Sequence, residues 1–192
     1  MDLEKRYVQE YVHKIRGVRG FFLSDERLIS FTRHHPFNVE TNTVNSKISS
    51  LRAYQPEDQF MDVDLTVIIL NCNLDPLLES GDFVAVTNIT DAIGRRNYEH
   101  ILEFASRYCS AHYPDHYPIW NHRSEMIVSG FSGRNLIPGH YKQFARYFYE
   151  VRKKLGMQEL NFFEIDKLFW IHQKDLQSII SRSGYVNNKI YA

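Results

Sequence analysis

An apolar pattern with the spacing of an α-helix constrains the fold of this chain most strongly. Between Tyr98 and Cys109, apolar side chains recur three and four residues apart, and the same spacing returns between Tyr141 and Leu155. Such spacing places apolar side chains along one helix face, which is stable only when it packs against a core. Asn97 is expected to cap the first of these helices, because its side chain can accept a backbone N–H. The pattern therefore predicts a packed helical protein.

Other helices are predicted from their ends. Gly156 is expected to close one helix in the left-handed conformation, and Asn161 with Glu164 predicts a capping box at the start of the next. The Arg152-Lys153-Lys154 run is interpreted as a solvated helix end. Three helices are expected in the first third of the chain, from Leu3 to near Gly17, from an N-cap at Ser24 toward Pro36, and from Val44 to Tyr54.

Two segments could form either a helix or a strand. The stretch from Asp62 to Asn71 is rich in β-branched residues, but no partner strand lies within hairpin reach, so a buried helix is favoured. Phe83–Val86 is the other candidate strand. The predicted fold is mainly α: a compact multi-helix domain with little or no sheet. Because no linker divides the sequence, residues 1–192 are expected to form one helical domain, as a single unit or as two packed lobes.

Composition excludes several classes of protein. Lys plus Arg equals Asp plus Glu, at 23 each, so any nucleic-acid contact must come from a local basic face. Cys72 and Cys109 form no CxxC pair, which argues against a disulfide scaffold. No apolar stretch is long enough to cross a bilayer, and the charged N-terminus does not resemble a signal peptide. We therefore expect a cytoplasmic protein with no membrane association.

A glycine turn followed by two arginines is the first functional signal. In the run Asp91-Ala92-Ile93-Gly94-Arg95-Arg96, Gly94 allows backbone N–H groups to approach a phosphate closely, and Arg95 and Arg96 add positive charge. The turn resembles the hairpin of a helix-hairpin-helix element, although Ala92 stands where many such hairpins have a first glycine. An ordinary turn before a capped helix is the alternative interpretation.

An aromatic and proline segment follows the next helix. It reads Tyr117-Pro118-Ile119-Trp120-Asn121-His122-Arg123. Together with the glycine turn and the intervening apolar helix, this segment resembles the helix-hairpin-helix DNA glycosylase superfamily over roughly the central third of the chain. The resemblance implies DNA as the partner, hydrolysis of a base–sugar bond as the activity, and no cofactor.

The chain departs from that family at two positions. Arg96 stands where bifunctional members have a catalytic lysine, and a guanidinium cannot form a Schiff base. Asn121 stands where the family has its catalytic aspartate, and an amide can orient a water molecule but cannot take a proton. The segment from the hairpin to Asn121 is also longer than is usual in the family. The resemblance therefore implies at most a monofunctional enzyme.

Several neighbouring side chains could supply the missing chemistry. Asp115 and Glu125 are candidate carboxylates beside Asn121, and His122 can exchange protons near neutral pH. The candidate catalytic set is therefore Asn121, Asp115, Glu125 and His122. The candidate nucleic-acid-binding set is Gly94, Arg95, Arg96, Arg123, Tyr117 and Trp120.

Two histidines near the aromatic segment have a spacing that could bind a metal. His112 and His116 have the spacing of a metal-binding pair, but Pro114 between them disfavours a regular helix, and no metal is predicted. We expect these histidines to form an aromatic wall with Tyr117 and its neighbours, which could hold an extruded base or close the core. Asp166, next to a lysine on a helix, is expected to be solvated.

Three functional hypotheses remain at the level of sequence. The first is a monofunctional DNA glycosylase-like enzyme. The second is a catalytically degenerate module that binds nucleic acid or a protein partner through the same helical scaffold. The third is a helical interaction domain with no nucleic-acid role.

Overall fold

The computed structural model describes residues 3–16, 23–52, 64–94 and 98–182. These residues form helices and connecting turns, and no strand occurs among them. The predicted mainly α fold is therefore confirmed. The helices are α1 (Leu3–Arg16), α2 (Leu23–His34), α3 (Thr41–Arg52), α4 (Leu65–Asn71), α5 (Asp75–Ser80), α6 (Val84–Ile93), α7 (Tyr98–His112), α8 (His122–Ser132), α9 (Tyr141–Lys154), α10 (Phe162–Ile171) and α11 (Gln173–Arg182).

Most of the predicted helix ends occur where they were expected. Asn161 and Glu164 form a reciprocal capping box at the start of α10, and Gly156 has a positive φ of 71° after α9. The α2 helix already includes Ser24, so it begins before the expected cap. Asn97, the expected cap of α7, lies outside the described residues. Local capping signals thus locate these helices well.

The ambiguous segments are both helical. Within the stretch predicted from Asp62 to Asn71, α4 forms as favoured, and Asp64 caps it by accepting a hydrogen bond from the Val67 amide. The candidate strand at Phe83–Val86 is helical instead, because Val84 begins α6. Burial of the α6 face that carries Ala85, Val86 and Ile89 explains the difference, since packing against a core overrides the strand preference of valine.

One apolar core connects the helices. Buried apolar residues from all of α1 to α11 belong to a single cluster. Helix α7 is its central element: every residue from Phe104 to His112 is buried, and α2, α3 and α6 pack against it. A second group of aromatic rings joins α9 to α10, where Phe148 lies 5.2 Å from Phe162 and 5.6 Å from Phe169 between ring centroids. The high aromatic content is therefore largely core material.

The segment between α7 and α8 is fixed by hydrogen bonds to three parts of the chain. The Tyr141 hydroxyl donates to the Pro118 carbonyl at 2.8 Å, and the Phe162 amide donates to the Pro114 carbonyl at 2.9 Å. The Tyr117 hydroxyl donates to the Leu77 carbonyl at 2.8 Å. This non-helical segment is consequently held as rigidly as the helices around it, and it sets the position at which α8 begins.

Candidate functional site

Gly94 ends α6 at the turn that leads toward α7. Its backbone has φ 103° and ψ −175°, and its amide donates to the Thr90 carbonyl. A Cβ atom at this position would meet nothing within 4 Å, so the turn is open to solvent on that side. The adjacent Arg95 and Arg96 lie outside the described residues. Helices α6 and α7 pack against each other on either side of the connection.

Asn121 is the N-cap of α8. Its Oδ1 accepts a hydrogen bond from the Ser124 backbone N–H at 2.9 Å, and the Ser124 hydroxyl accepts one from the Asn121 backbone N–H in return. Its Nδ2 donates to Asp166 Oδ1 at 2.6 Å, and the residue is only 8% exposed. The oxygen and the nitrogen of the Asn121 side-chain amide are thus both hydrogen-bonded to protein groups. In this arrangement the side chain stabilises the start of α8.

Asp166 was expected to be solvated, and that prediction is wrong. It is 8% exposed, and its second oxygen accepts a hydrogen bond from Arg107 Nη2 at 2.9 Å. Burial alone would lower the pKa of Arg107, but the carboxylates of Asp166 and Glu103 raise it overall. A buried ion pair therefore ties α7 to α10 and positions the Asn121 amide.

Glu103 lies at the edge of this pair. Its carboxylate is 3.5 Å from Arg107 Nη2, and its side chain keeps 27% of its surface exposed. Burial raises the pKa of Glu103, and the charge of Arg107 opposes this shift. A partly exposed carboxyl with a raised pKa is one that can hold a proton closer to neutral pH. Apart from its place on a predicted helix, no pattern in the sequence indicates a role for Glu103.

Glu125 and His122 form a second polar group in the first turn of α8. Burial raises the pKa of Glu125, the charge of nearby His122 lowers it, that of Glu99 raises it, and a hydrogen bond from Trp120 lowers it. His122 is exposed, whereas Glu125 is half-buried. Of the four candidate catalytic residues, His122, Glu125 and Asn121 therefore share the start of α8.

Asp115 lies apart from that group. Its carboxylate pairs with Arg152 Nη2 at 3.1 Å, near the end of α9, whereas Asn121 bonds to α10. Arg152 is itself only 8% exposed and lies 4.8 Å over the centre of the Phe162 ring. The interpretation of the 152–154 run as a solvated helix end is therefore wrong for Arg152, because its guanidinium binds backbone carbonyls of the turn that follows.

The aromatic candidates are core residues. Tyr117 is 0% and Trp120 is 3% exposed, and the Trp120 amide donates to the Ser106 hydroxyl of α7. His116 stacks on Tyr113 at the surface, with ring centroids 5.7 Å apart. In this arrangement the rings of Tyr117 and Trp120 close the core, which is one of the two roles the sequence left open.

The remaining candidate, Arg123, is half-buried and donates from Nε to Gln173 Oε1 of α11 at 3.1 Å. Within the described residues, no group of three or more His, Cys, Asp and Glu side chains has a metal-binding arrangement. No described helix combines the length and apolarity needed to cross a bilayer.

A buried polar cluster that the sequence did not predict lies at the other end of α7. Lys47 is 0% exposed, and its Nζ donates to the Phe37 carbonyl and to Asn38 Oδ1, both at 3.0 Å. The Tyr108 hydroxyl donates to the same Asn38 oxygen at 2.5 Å, and Asp75 accepts from the Asn38 amide and side chain. Burial lowers the pKa of Lys47 to about 8, against a raising effect of Asp75.

His112 completes this cluster. It is 7% exposed, its ring lies 5.2 Å from that of Tyr108, and its Nε2 has no hydrogen-bond partner among the described residues. Burial and, to a lesser extent, the charge of Lys47 lower the pKa of His112 to about 3, although a hydrogen bond with the Pro36 backbone opposes them. Three buried side chains from α3 and α7, together with the half-buried Asp75 of α5, therefore hold the loop at residues 36–38.

Comparison with known proteins places the chain in a family. Residues 7–116 match the family described as HI_0787_N, N-terminal domain, which is more than half of the 192 residues. The chain belongs to this family. The HI_0787_N region runs from Tyr7 through α7, so Gly94, the Lys47 cluster and Asp115 lie within it, whereas Asn121, His122 and Glu125 lie beyond it. No curated protein and no solved structure matches the chain.

Proposed function

We propose that this protein binds the backbone of nucleic acid at the connection between α6 and α7, and that it does not excise bases. The occupation of Asn121 carries the proposal: both functional ends of its amide are bonded to Ser124 and Asp166. The Asn121 side-chain amide is bonded at both ends and the residue is only 8% exposed, so it serves the start of α8 and the buried ion pair rather than an open catalytic site. The choice of DNA as the partner rests on the resemblance of the central third of the sequence to the helix-hairpin-helix DNA glycosylase superfamily.

The surroundings of Gly94 support a phosphate contact. The half-buried glycine has open space on its Cβ side, and two arginines follow it in the sequence. The Tyr98 hydroxyl, at the start of α7, donates to the Gly139 carbonyl at 3.1 Å, so the loop before α9 is adjacent to this turn. That loop leads to the exposed side chains of His140 and Lys142. Lys142 and the two arginines that follow Gly94 in the sequence supply cations from two segments of the chain, which suits a contact to a phosphate backbone.

A salt titration of DNA binding tests the proposal. Fluorescence anisotropy with a mixed-sequence duplex of about 20 base pairs should show affinity falling steeply between about 50 and about 200 mM salt. Arg95→Glu with Arg96→Glu should weaken binding and reduce the salt slope by about 2. Lys153→Glu with Lys174→Glu is the matched control, because it makes the same charge change at two exposed positions. Equal loss in both double variants would mean that net charge, not the turn, governs binding.

A second candidate function, hydrolysis of a base–sugar bond, is favoured by one observation. Glu125 is half-buried, has a raised pKa and lies beside His122 in the same helical turn. A carboxyl in that state can donate a proton to a leaving base. Mass spectrometry of duplexes with normal, mispaired, oxidised and alkylated bases would detect free base. Release that is lost in Glu125→Gln would establish the enzyme and overturn the binding-only proposal.

A further inference from the structure

A groove on the surface of α2 is lined by aromatic and cationic side chains. Its volume is about 560 Å³, and its lining residues are Glu26, Arg27, Ser30, Phe31, His34 and His35. The rings of Phe31 and His35 lie 4.7 Å apart between centroids, with an interplanar angle of 44°. The groove therefore offers π surfaces that a flat ring can contact.

Phe37 is a further exposed ring in the loop that follows α2. It lies two residues beyond His35, and its side chain is 64% exposed, which is unusual for a phenylalanine. The backbone that carries it is fixed, since Lys47 bonds to the Phe37 carbonyl and Asp75 bonds to the next amide. The exposed ring is thus presented on a rigid loop, and little conformational entropy is lost when something binds to it.

Two exposed arginines of α2 supply positive charge here. Arg27 lines the groove and Arg33 lies on the same helix, and one exposed carboxylate, Glu26, is also in the lining. His34 Nδ1 lies 2.7 Å from the Ser30 carbonyl and donates to it, which directs Nε2 away from the helix. Exposed rings between cationic side chains complement a ligand with flat faces and negative charges.

From these observations we infer that the α2 groove and Phe37 bind single-stranded nucleic acid. Bases would stack on Phe37 and on the Phe31–His35 pair, and Arg27 with Arg33 would contact phosphates. Stacking requires an unpaired base, whereas the bases of a duplex are already stacked on each other. An apolar protein partner would not need the arginines. The inference deepens the proposed nucleic-acid function and rests on it.

The surface is separate from the turn at Gly94. The Thr32 hydroxyl of α2 donates to the Ala111 carbonyl at 2.6 Å, so this part of α2 lies at the C-terminal end of α7. Gly94 precedes the N-terminal end of the same helix. Variants of the two surfaces can therefore be distinguished in one binding assay.

Binding of a fluorescein-labelled oligothymidylate of about 12 nucleotides, followed by anisotropy, is the test. Phe37→Ala should raise the dissociation constant about tenfold, whereas Phe37→Tyr should stay within about twofold because the ring is kept. Val39→Ala is the matched control, since Val39 is an exposed apolar residue of the same loop, at 71%. Arg27→Gln with Arg33→Gln should reduce the salt slope by about 2.

A photocrosslink locates the bound strand independently. An oligothymidylate that carries 5-iodouracil should crosslink to Phe37 or to Phe31, as identified by mass spectrometry. Unchanged affinity of Phe37→Ala, or crosslinks only outside α2 and its following loop, would overturn the inference and leave binding at Gly94 intact. Failure of the wild-type protein to bind either the single strand or the duplex would overturn both proposals.

Discussion

Acidification should destabilise this protein through one buried imidazole. His112 lies beneath the loop at residues 36–38, and burial lowers its pKa in the folded state to about 3, compared with an ordinary value of 6.5. Between those two pH values the unfolded chain binds a proton that the folded chain does not. Stability from this group is therefore fully present above about pH 6.5 and is lost as the pH falls toward about 3.

The size of the effect follows from the two pKa values. At about pH 5 the unfolded imidazole is almost fully protonated and the folded one is almost fully neutral, so the free energy of unfolding should fall by about 2 kcal/mol relative to about pH 7.5. Further acidification should remove about 1.4 kcal/mol per pH unit until the folded pKa is reached. A residue that is 7% exposed experiences little solvent screening, so this conversion is appropriate.

Urea unfolding followed by circular dichroism measures this loss. His112→Asn removes the titration and keeps a donor for the Pro36 carbonyl, so its stability should fall about 2 kcal/mol less than that of the wild type over the same pH range. His13→Asn, at an exposed position of α1, is the control for the loss of a histidine. Glu103 and Glu125 have raised pKa values and oppose the effect equally in all three proteins. Identical pH profiles for wild type and His112→Asn would refute the reasoning.

Three further perturbations have defined outcomes. Asn121→Asp should lower the free energy of unfolding by about 2 kcal/mol at neutral pH, because it places a second carboxylate against Asp166. The loss should shrink toward about pH 4, as one of the two carboxylates is protonated. A loss in urea unfolding that does not change with pH would contradict this. Gly139→Ala should lower the thermal midpoint, since its Cβ would come within 2.7 Å of the Tyr98 ring at a φ of +75°; an unchanged midpoint would mean that the ring moves freely. Lys47 has a pKa of about 8 when folded, below its ordinary 10.5, so wild-type stability should rise relative to that of Lys47→Met between about pH 8 and about pH 9.5. The thiols of Cys72 and Cys109, whose pKa values are raised, oppose this rise equally in both proteins. Parallel pH profiles of the two proteins in urea unfolding would assign any rise to another group.

Helices with informative ends could be predicted from the sequence. At Asn161 and Glu164 the capping box is local, because both partners lie within one helical turn. The equivalent box at Asn121 and Ser124 carries the same local signal, but there it competes with a functional interpretation, since an amide can cap a helix or orient a substrate. The candidate strand at Phe83–Val86 is helical because burial, a property of the whole fold, outweighs local preference.

The polar network was beyond sequence reasoning for a physical reason. Asp166 and Arg107 are 59 residues apart, and Asn38 and Tyr108 are 70 apart. A lone aspartate or lysine in a sequence is usually a surface group, and only the packing of α3, α7 and α10 determines that these are buried and paired. Long-range partners of this kind leave no spacing pattern to detect.

Helix α7 also sets a distance. It has 15 residues, which at 1.5 Å per residue is about 22 Å. Because one proposed contact surface lies at each end of this buried helix, the fold sets their separation. A single strand whose extended length is well below about 22 Å should reach only one of them, and affinity should increase sharply once the strand is long enough to reach both.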